Sequence, residues 1–249
     1  MALPGMKRAE LVEVTTLTHD VIEMLFAMRE PETLSFQAGQ FISIAVPPVG
    51  DLKQVLRSYS IASAQGDGGT FRLCVKLIPG GRASTYFSEL QLGDEISFLG
   101  AFGHFIVKRP DIAKVFIATG TGLAPFKAMT EQLLSEDTHA EISVLFGVRH
   151  EKDLFYTKFF SNKESSRVQF LPTISRPELD VTSVGTILGL SLHTFVGRVT
   201  TLLEKNEWYK GEKDFYICGN GSMIDSVREL LLSKGIPPAR IIFEKYNNL

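Results

Sequence analysis

"KVFIATGTGLAPFKAMTEQLL", Lys114–Leu134, decides how the second half of the chain folds. Lys114–Thr119 reads as an apolar strand. Gly120 and Gly122 break it, and from Leu123 the apolar residues recur at helical spacing. The same rhythm continues toward the C-terminus: strand "ISVLFGV", helix "LFYTKFF", strand "VQFLPTI", helix "GRVTTLLEK", strand "DFYICG", helix "SMIDSVRELLLSKG", strand "RIIFEKY". Alternating strands and helices predict a parallel, doubly wound α/β sheet. With Lys114–Thr119 as its first strand and Asp214–Cys218 as its fourth, the doubly wound order makes these two neighbours. Gly120 and Cys218 then face one crevice at the topological switch point, where such sheets bind ligands.

Toward the N-terminus the period changes. In "FRLCVKL", Phe71, Leu73, Val75 and Leu77 alternate with Arg72, Cys74 and Lys76, the pattern of a strand with one wet face. "VIEMLFAM" and "QFISIAV" are similar short runs, and "PPVGD", "AQGDGG" and "IPGG" punctuate them. Short strands at this spacing predict an antiparallel barrel, interrupted by one helix over "ASTYFSEL", Ala83–Leu90. Pro110 lies at the change of rhythm, so the expected domains are 1–109 and 110–249.

Bulk properties exclude several classes. The chain has 249 residues, a net charge of −2 and 22% charged residues, so no basic field points to nucleic acid. No apolar run is long enough to span a bilayer, and "MALPGMKRAE" lacks a signal core, which predicts a cytoplasmic protein. The two cysteines, Cys74 and Cys218, are too few for an iron–sulfur cluster, which needs four ligands. The five histidines show no metal-ligand spacing.

Chemistry concentrates in a few stretches. "LRSYSIAS", Leu56–Ser63, puts a cation, an aromatic ring and hydroxyls on one strand. Arg57 offers a planar fork that suits a pyrophosphate, Tyr59 a face for a flat ring, and Ser60 a hydroxyl. "PGGRAST", Pro79–Thr85, sets glycines before a helix whose first turn holds Ser84. Such a helix start binds phosphate through free N–H groups and its dipole. "ATGTGLAP", Ala118–Pro125, has the strand–turn–helix context of a dinucleotide loop, but Pro125 replaces the third glycine. No acidic residue closes the next strand, where Arg149 stands instead, so an ordinary dehydrogenase is disfavoured. "FYICGNGSM", Phe215–Met223, is another strand entering a glycine turn. In "FEKYNNL", Glu244 and Tyr246 point the same way at a spacing of two.

Taken together and in this order, these stretches resemble the ferredoxin–NADP reductase superfamily over nearly the whole chain. "RSYS" resembles its R-x-Y-S flavin motif, "GRAS" its G-x-x-S pyrophosphate helix, and "GTGLAP" its nicotinamide-nucleotide loop. Cys218–Gly219 and the terminal E-x-Y match as well. "AFGHF", Ala101–Phe105, resembles the family's P-x-G-x-F turn with Ala101 in place of proline.

The resemblance implies an N-terminal FAD-binding β-barrel and a C-terminal NAD(P)-binding domain. It implies that Arg57 and Ser84 hold the FAD pyrophosphate, that Tyr59 stacks on the isoalloxazine and that Ser60 bonds flavin N5. Ser58, Val75, Lys76, Gly81, Arg82 and Ala83 complete the expected flavin contacts. Thr119, Gly120, Thr121, Gly122, Pro125, Gly219 and Met223 are expected around the nicotinamide nucleotide. Cys218 and Glu244 would flank the hydride path, and Tyr246 would cover the other flavin face.

Ser175, Arg176 and Arg198, with Arg149, resemble the family's 2′-phosphate site and favour NADPH, with NADH the alternative. The implied reaction passes electrons between NAD(P)H and a separate acceptor, ferredoxin or flavodoxin. The alternatives are an oxygenase reductase component, a reductase of free flavin or ferric iron, and a non-enzymatic nucleotide sensor. The segment 177–196 is longer than the family pattern, and its role stays open.

Overall fold

A computed structural model describes residues 4–50, 53–162, 167–178, 185–187, 190–192 and 194–246. The chain forms two compact units, Met1–Val107 with Ala124–Ser135, and Lys108–Leu123 with Glu136–Leu249.

The first unit is an antiparallel sheet of β1 (Lys7–Thr16), β2 (Val21–Glu30), β3 (Phe41–Val46), β4 (Val55–Ser60), β5 (Thr70–Lys76) and β6 (Glu95–Phe102). Their spatial order is β4-β3-β6-β1-β2-β5. An antiparallel bridge between Ile61 and Leu73 joins the two outer strands, which closes the sheet into the expected barrel. Inward residues alternate as the sequence pattern requires: Phe71, Leu73 and Val75 enter a core with Phe26, Ile42, Ile44, Ile96 and Phe98. Cys74, on the opposite face of β5, is buried as well. Its cross-strand partner is Glu23, which meets Lys127 of the helix α2 (Ala124–Ser135), so this part of the outer face is not wet. Helix α1 (Arg82–Glu89) drives Phe87 into the barrel core.

The second unit is a parallel sheet built on β7 (Ala113–Thr119), β8 (Ile142–Val148), β9 (Val168–Ile174), β12 (Phe195–Val196), β13 (Lys213–Asn220) and β14 (Ile241–Tyr246), in the order β12-β9-β8-β7-β13-β14. The order reverses at β7, and β13 is its neighbour there, with Ala118 opposite Cys218. Helices α4 (Val199–Lys205) and α5 (Gly221–Ser233) bury Leu202, Leu203, Ile224, Val227 and Leu231 against Val115, Ile117, Phe215 and Ile217.

The expected helix over 154–160 is shorter, α3 (Thr157–Ser161). Leu154, Phe155 and Tyr156 are buried, so their apolar run mimics a helix face, but Tyr156 is left-handed at φ 56 and blocks helix propagation before Thr157. Within the segment 177–196, β10 (Gly185–Ile187) and β11 (Leu190–Leu192) pair as an antiparallel hairpin; residues 179–184, 188, 189 and 193 lie outside the described residues. No helix among the described residues is long and apolar enough to cross a membrane.

Candidate functional site

In the first unit the site grows from β4. Strand alternation sends Arg57 and Tyr59 to one face and Ser58 and Ser60 to the other. Ser58 Oγ lies 3.1 Å from Ser43 Oγ on β3, and Ser60 is buried. Tyr59 packs against the barrel core, edge-on to Phe87 with ring centroids 5.0 Å apart. Burial pushes its hydroxyl pKa up to about 12, against the opposing pull of the Arg57 charge. Tyr59 therefore presents a neutral aromatic surface and not an acid. The Arg57 guanidinium donates to the Leu56 carbonyl at 3.0 Å.

The turn from β5 into α1 closes on itself. Gly81 N–H donates to Ile78 O at 2.9 Å, and Ser84 Oγ accepts from Ile78 N–H at 2.8 Å. Gly80 sits at φ +71 with nothing within 4 Å of where a Cβ would stand. No side chain caps α1, so the helix start suits an anion through its first-turn N–H groups and its dipole. That donor set fits a pyrophosphate. The start of α5 differs: Asn220 Oδ1 accepts from Ser222 N–H at 2.9 Å and from Ser222 Oγ at 2.6 Å, and the helix caps itself.

Several expected flavin contacts have their side chains engaged elsewhere. Val75 fills the barrel core, and Lys76 Nζ lies 2.7 Å from Asp20 Oδ2. Arg82 Nη2 donates to Pro47 O at 2.7 Å and Lys53 O at 2.6 Å, holding the loop between β3 and β4 against the start of α1.

In the second unit β7 and β13 end side by side. Gly120 adopts φ +54 with open space around it, which leaves its backbone approachable. Gly122 packs against the neighbouring turn. A Cβ there would lie 2.6 Å from the carbonyl carbon of Cys218 and 2.8 Å from Gly219 Cα. Gly219, at φ +131, is pressed as closely onto Thr119, whose carbonyl oxygen would lie 2.6 Å from an added Cβ. Thr119 Oγ1 accepts from Asn220 N–H at 3.1 Å. The two glycine turns thus interlock, backbone on backbone. Thr121 is half-buried, Pro125 is buried in the first turn of α2, and Met223 packs into the core of the second unit.

Cys218, Glu244 and Tyr246 come together at the same end of the sheet. Cys218 is opposite Glu244 in register, and Asn220 opposite Tyr246. The Cys218 thiol is fully buried. Burial first, and then the Glu244 charge, push its pKa well up, against hydrogen bonds from the Tyr246 hydroxyl and the Gly219 N–H. Cys218 remains a neutral thiol at ordinary pH and is no thiolate nucleophile.

The cationic residues gather at the ends of β8 and β9. Ser175 N–H donates to Val148 O at 3.0 Å, Arg176 N–H to Arg149 O at 2.8 Å, and Gly197 N–H to Ile174 O at 2.9 Å. These bonds bring Arg149, Arg176 and Arg198, all exposed, to neighbouring chain positions. Ser175 Oγ is spent on Val148 O at 3.2 Å. Among the described residues, no carboxylate pairs with any of the three arginines; nearby Glu178 is taken by His150 and Lys152.

The sequence reading missed Lys127 and Glu131 on α2. Lys127 is buried, and its Nζ donates to Ala62 O and Glu131 Oε1, each at 2.9 Å. Glu131 Oε2 accepts from Ala64 N–H at 2.9 Å. The signal was present as a lysine and a glutamate four apart, the only charged residues of α2.

Comparisons with known proteins agree with this division of labour. Residues 8–106 match the oxidoreductase FAD-binding domain family, and residues 116–229 the oxidoreductase NAD-binding domain family. The chain is 30% identical to ferredoxin–NADP reductase B of Sorangium cellulosum over 96% of its own length and 97% of that protein's. It is 29% identical to the toluate 1,2-dioxygenase electron transfer component of Pseudomonas putida, covering 67% of it. It is 26% identical to the propane 2-monooxygenase reductase component of Rhodococcus jostii, covering 64% of it. The chain thus spans about two thirds of the length of those two oxygenase components. Among solved structures, an Amycolatopsis cytochrome P450 reductase superposes with a TM-score of 0.83 at 25% identity, over 96% of this chain and 69% of that one. A ferredoxin NADP+ reductase from Neisseria gonorrhoeae shares the fold with a TM-score of 0.80 at 22% identity, over 98% and 99% of the two chains. A barrel with a helix that starts uncapped after a glycine turn, a parallel sheet with its glycine turn at the switch point, and a full-length relative at 30% identity together make the chain a member of the ferredoxin–NADP reductase family, a two-domain FAD- and NAD(P)-binding oxidoreductase.

Proposed function

We propose that this protein passes electrons between NADPH and a separate one-electron carrier, ferredoxin or flavodoxin, in the cytoplasm. The observation that carries the choice of nucleotide is the group of three exposed arginines, Arg149, Arg176 and Arg198, without carboxylate partners among the described residues. A 2′-phosphate neutralises such a group; the ribose hydroxyl of NADH does not. The ferredoxin–NADP reductase relative, matched over 97% of its length, supports the carrier. These 249 residues hold only two cysteines, both buried, too few to ligate an iron–sulfur cluster within them.

In this reading residues 1–109 hold FAD and residues 110–249 the nucleotide. Arg57 and the first N–H groups of α1 bind the pyrophosphate, with Gly80 and Gly81 allowing its approach. Tyr59 supplies a rigid aromatic wall, and Ser60 a hydroxyl for the flavin edge. Thr119, Gly120 and Thr121 receive the nucleotide phosphates. Cys218, Glu244 and Tyr246 line the nicotinamide position and exclude water from it. Bound FAD would supply the conversion between a two-electron hydride and single electrons. The protein needs no covalent nucleophile for this, in keeping with the neutral Cys218 thiol.

Two measurements test the reading. Arg57→Ala removes charge-assisted bonds worth about 1.5–3 kcal/mol each, so FAD affinity should fall about tenfold or more. Full retention of FAD through dilution would take Arg57 out of the site. Arg176→Ala/Arg198→Ala should raise KM for NADPH about tenfold or more while leaving NADH nearly unaffected, and the difference should shrink as salt rises. Equal losses with both nucleotides would refute the 2′-phosphate assignment and favour NADH.

A second reading, a reductase component that serves an oxygenase, is favoured by the toluate dioxygenase and propane monooxygenase relatives. Turnover of NADPH with reduced ferredoxin or flavodoxin as the product supports the first reading. Failure with both carriers favours the second.

A further inference from the structure

Lys127 and Glu131 sit on α2, whose first turns are buried on every side, from Ala124 to Thr130. An ammonium in such a place costs several kcal/mol of desolvation that its ion pair does not reliably return, and buried pairs are weak stabilisers compared with apolar packing. The residues they grip are specific. Lys127 Nζ donates to Ala62 O at 2.9 Å, and Glu131 Oε2 accepts from Ala64 N–H at 2.9 Å. Glu131 Oε1 bonds Lys127 at 2.9 Å, and Glu23 Oε1 on β2 lies 3.7 Å from the same ammonium. Ala62–Ala64 is the chain segment that leaves β4 one residue after Ser60. Its other side is held by β5: Ala62 N–H donates to Arg72 O at 2.7 Å, and Arg72 N–H to Ser63 Oγ at 3.1 Å. The exit of the strand that carries Arg57, Tyr59 and Ser60 is therefore clamped from both sides, on one side by a charged pair where apolar side chains would serve stability equally well.

We propose that Lys127 and Glu131 are positioning residues for flavin reduction. They fix the backbone exit of β4, and with it the placement of Ser60 and Tyr59, without touching the cofactor. The inference rests on the assignment of β4 as the flavin strand, and it fails separately from that assignment: Arg57→Ala tests whether the strand binds FAD, whereas the α2 pair tests how accurately the strand is held.

The experiment compares Lys127→Met, Glu131→Gln, the double variant and Lys127→Arg. In the apoprotein, hydrogen exchange at the Ala64 amide should speed up about tenfold or more in Glu131→Gln, because its acceptor is weakened. In the FAD-loaded protein, the limiting rate of flavin reduction by NAD(P)H should fall about tenfold to a hundredfold in Lys127→Met and Glu131→Gln, the range that a small misplacement produces. FAD affinity should change less than threefold. The double variant should be no slower than the slower single variant, since both act on one segment, and Lys127→Arg should recover most of the rate. Unchanged Ala64 exchange, a reduction rate within twofold of the parent, or a rate loss that only mirrors lost FAD would overturn the proposal. If Lys127→Met does not fold, Glu131→Gln and Lys127→Arg carry the same comparison.

Discussion

Gly122→Ala is expected to destabilise the second unit by at least about 3 kcal/mol, the upper range for an overpacked interior, while Gly120→Ala costs about 1–2 kcal/mol, the penalty for a left-handed residue with a side chain. The two glycines are separated by one residue and belong to one motif, but their surroundings are opposite. At Gly120 an added methyl meets nothing within 4 Å, and only the positive φ opposes it. At Gly122 it runs into the Cys218 carbonyl and the Gly219 Cα. Those are backbone atoms, so no side chain can swing away. The strand that would have to retreat is held on both sides, since Cys218 is paired with Ala118 on β7 and with Glu244 on β14. Retreat would also break the bond from Asn220 N–H to Thr119 Oγ1. Trp208, the only tryptophan, lies in the second unit, so its fluorescence in a urea titration isolates that unit's unfolding. Equal stabilities for the two variants would remove the interlock from the structure of the turn.

This pair shows where the sequence is legible and where it stops. Strand–turn–helix periodicity places the GTG turn at the end of a strand, and chain order alone makes β7 and β13 neighbours. Both follow from periods that every residue reports. What each glycine is for depends on the strand beside it, about 100 residues away in sequence, and no local pattern encodes that. Likewise, "RSYS" is legible as a cation, ring and hydroxyl on one strand, but the edge-on contact of Tyr59 with Phe87 requires knowing that α1 returns over the barrel end. Arg82 is expected near the flavin only through the family resemblance; the carbonyls of Pro47 and Lys53 that its guanidinium bonds belong to a distant loop. The arginines at 149, 176 and 198 are legible as charges, while their approach follows from the register of β8, β9 and β12. Chemistry that depends on residue type was readable, and chemistry that depends on which backbone atom faces which side chain was not.

The opposite end of the same sheet gives the second large effect. Asp214→Asn is expected to destabilise the second unit by about 3–5 kcal/mol, the range for removing one member of a buried ion pair. Asp214 is the second residue of β13, opposite Lys114 in register on β7, and both side chains are almost wholly buried. The Asp214 carboxylate accepts two bonds from the Arg109 guanidinium, one of them at 3.2 Å from Nε. Its Oδ2 lies 4.0 Å from Lys114 Nζ, which donates to the carbonyls of Arg109 and Ile112. The group pins the segment around Pro110 to the start of the sheet, about 20 Å of strand away from the glycine turn. The variant should therefore lose stability without a matching change in nucleotide affinity.

The pH dependence supplies a second check with a definite sign. The Lys114 pKa is lowered to about 8, chiefly by burial, with the Asp214 charge opposing the shift and the Arg109 charge adding to it. The unfolded lysine keeps its proton to about pH 10.4. Between those values the unfolded state binds more protons, so this group makes stability rise with pH from about 8 to about 10.4. Below pH 8 the lysine is charged in both states, and its buried charge is a constant cost. Tyrosines titrate in the same range, so the quantity to follow is the stability of the parent minus that of Lys114→Met, read from Trp208 fluorescence at successive pH values. That difference should climb across the window. In Asp214→Asn the carboxylate that supports the ammonium is gone, the folded pKa drops below 8, and the climb should begin at lower pH. A loss under about 1 kcal/mol at pH 7, the size of one ordinary hydrogen bond, together with an unmoved pH window, would show that Asp214 and Lys114 are not coupled in the folded chain.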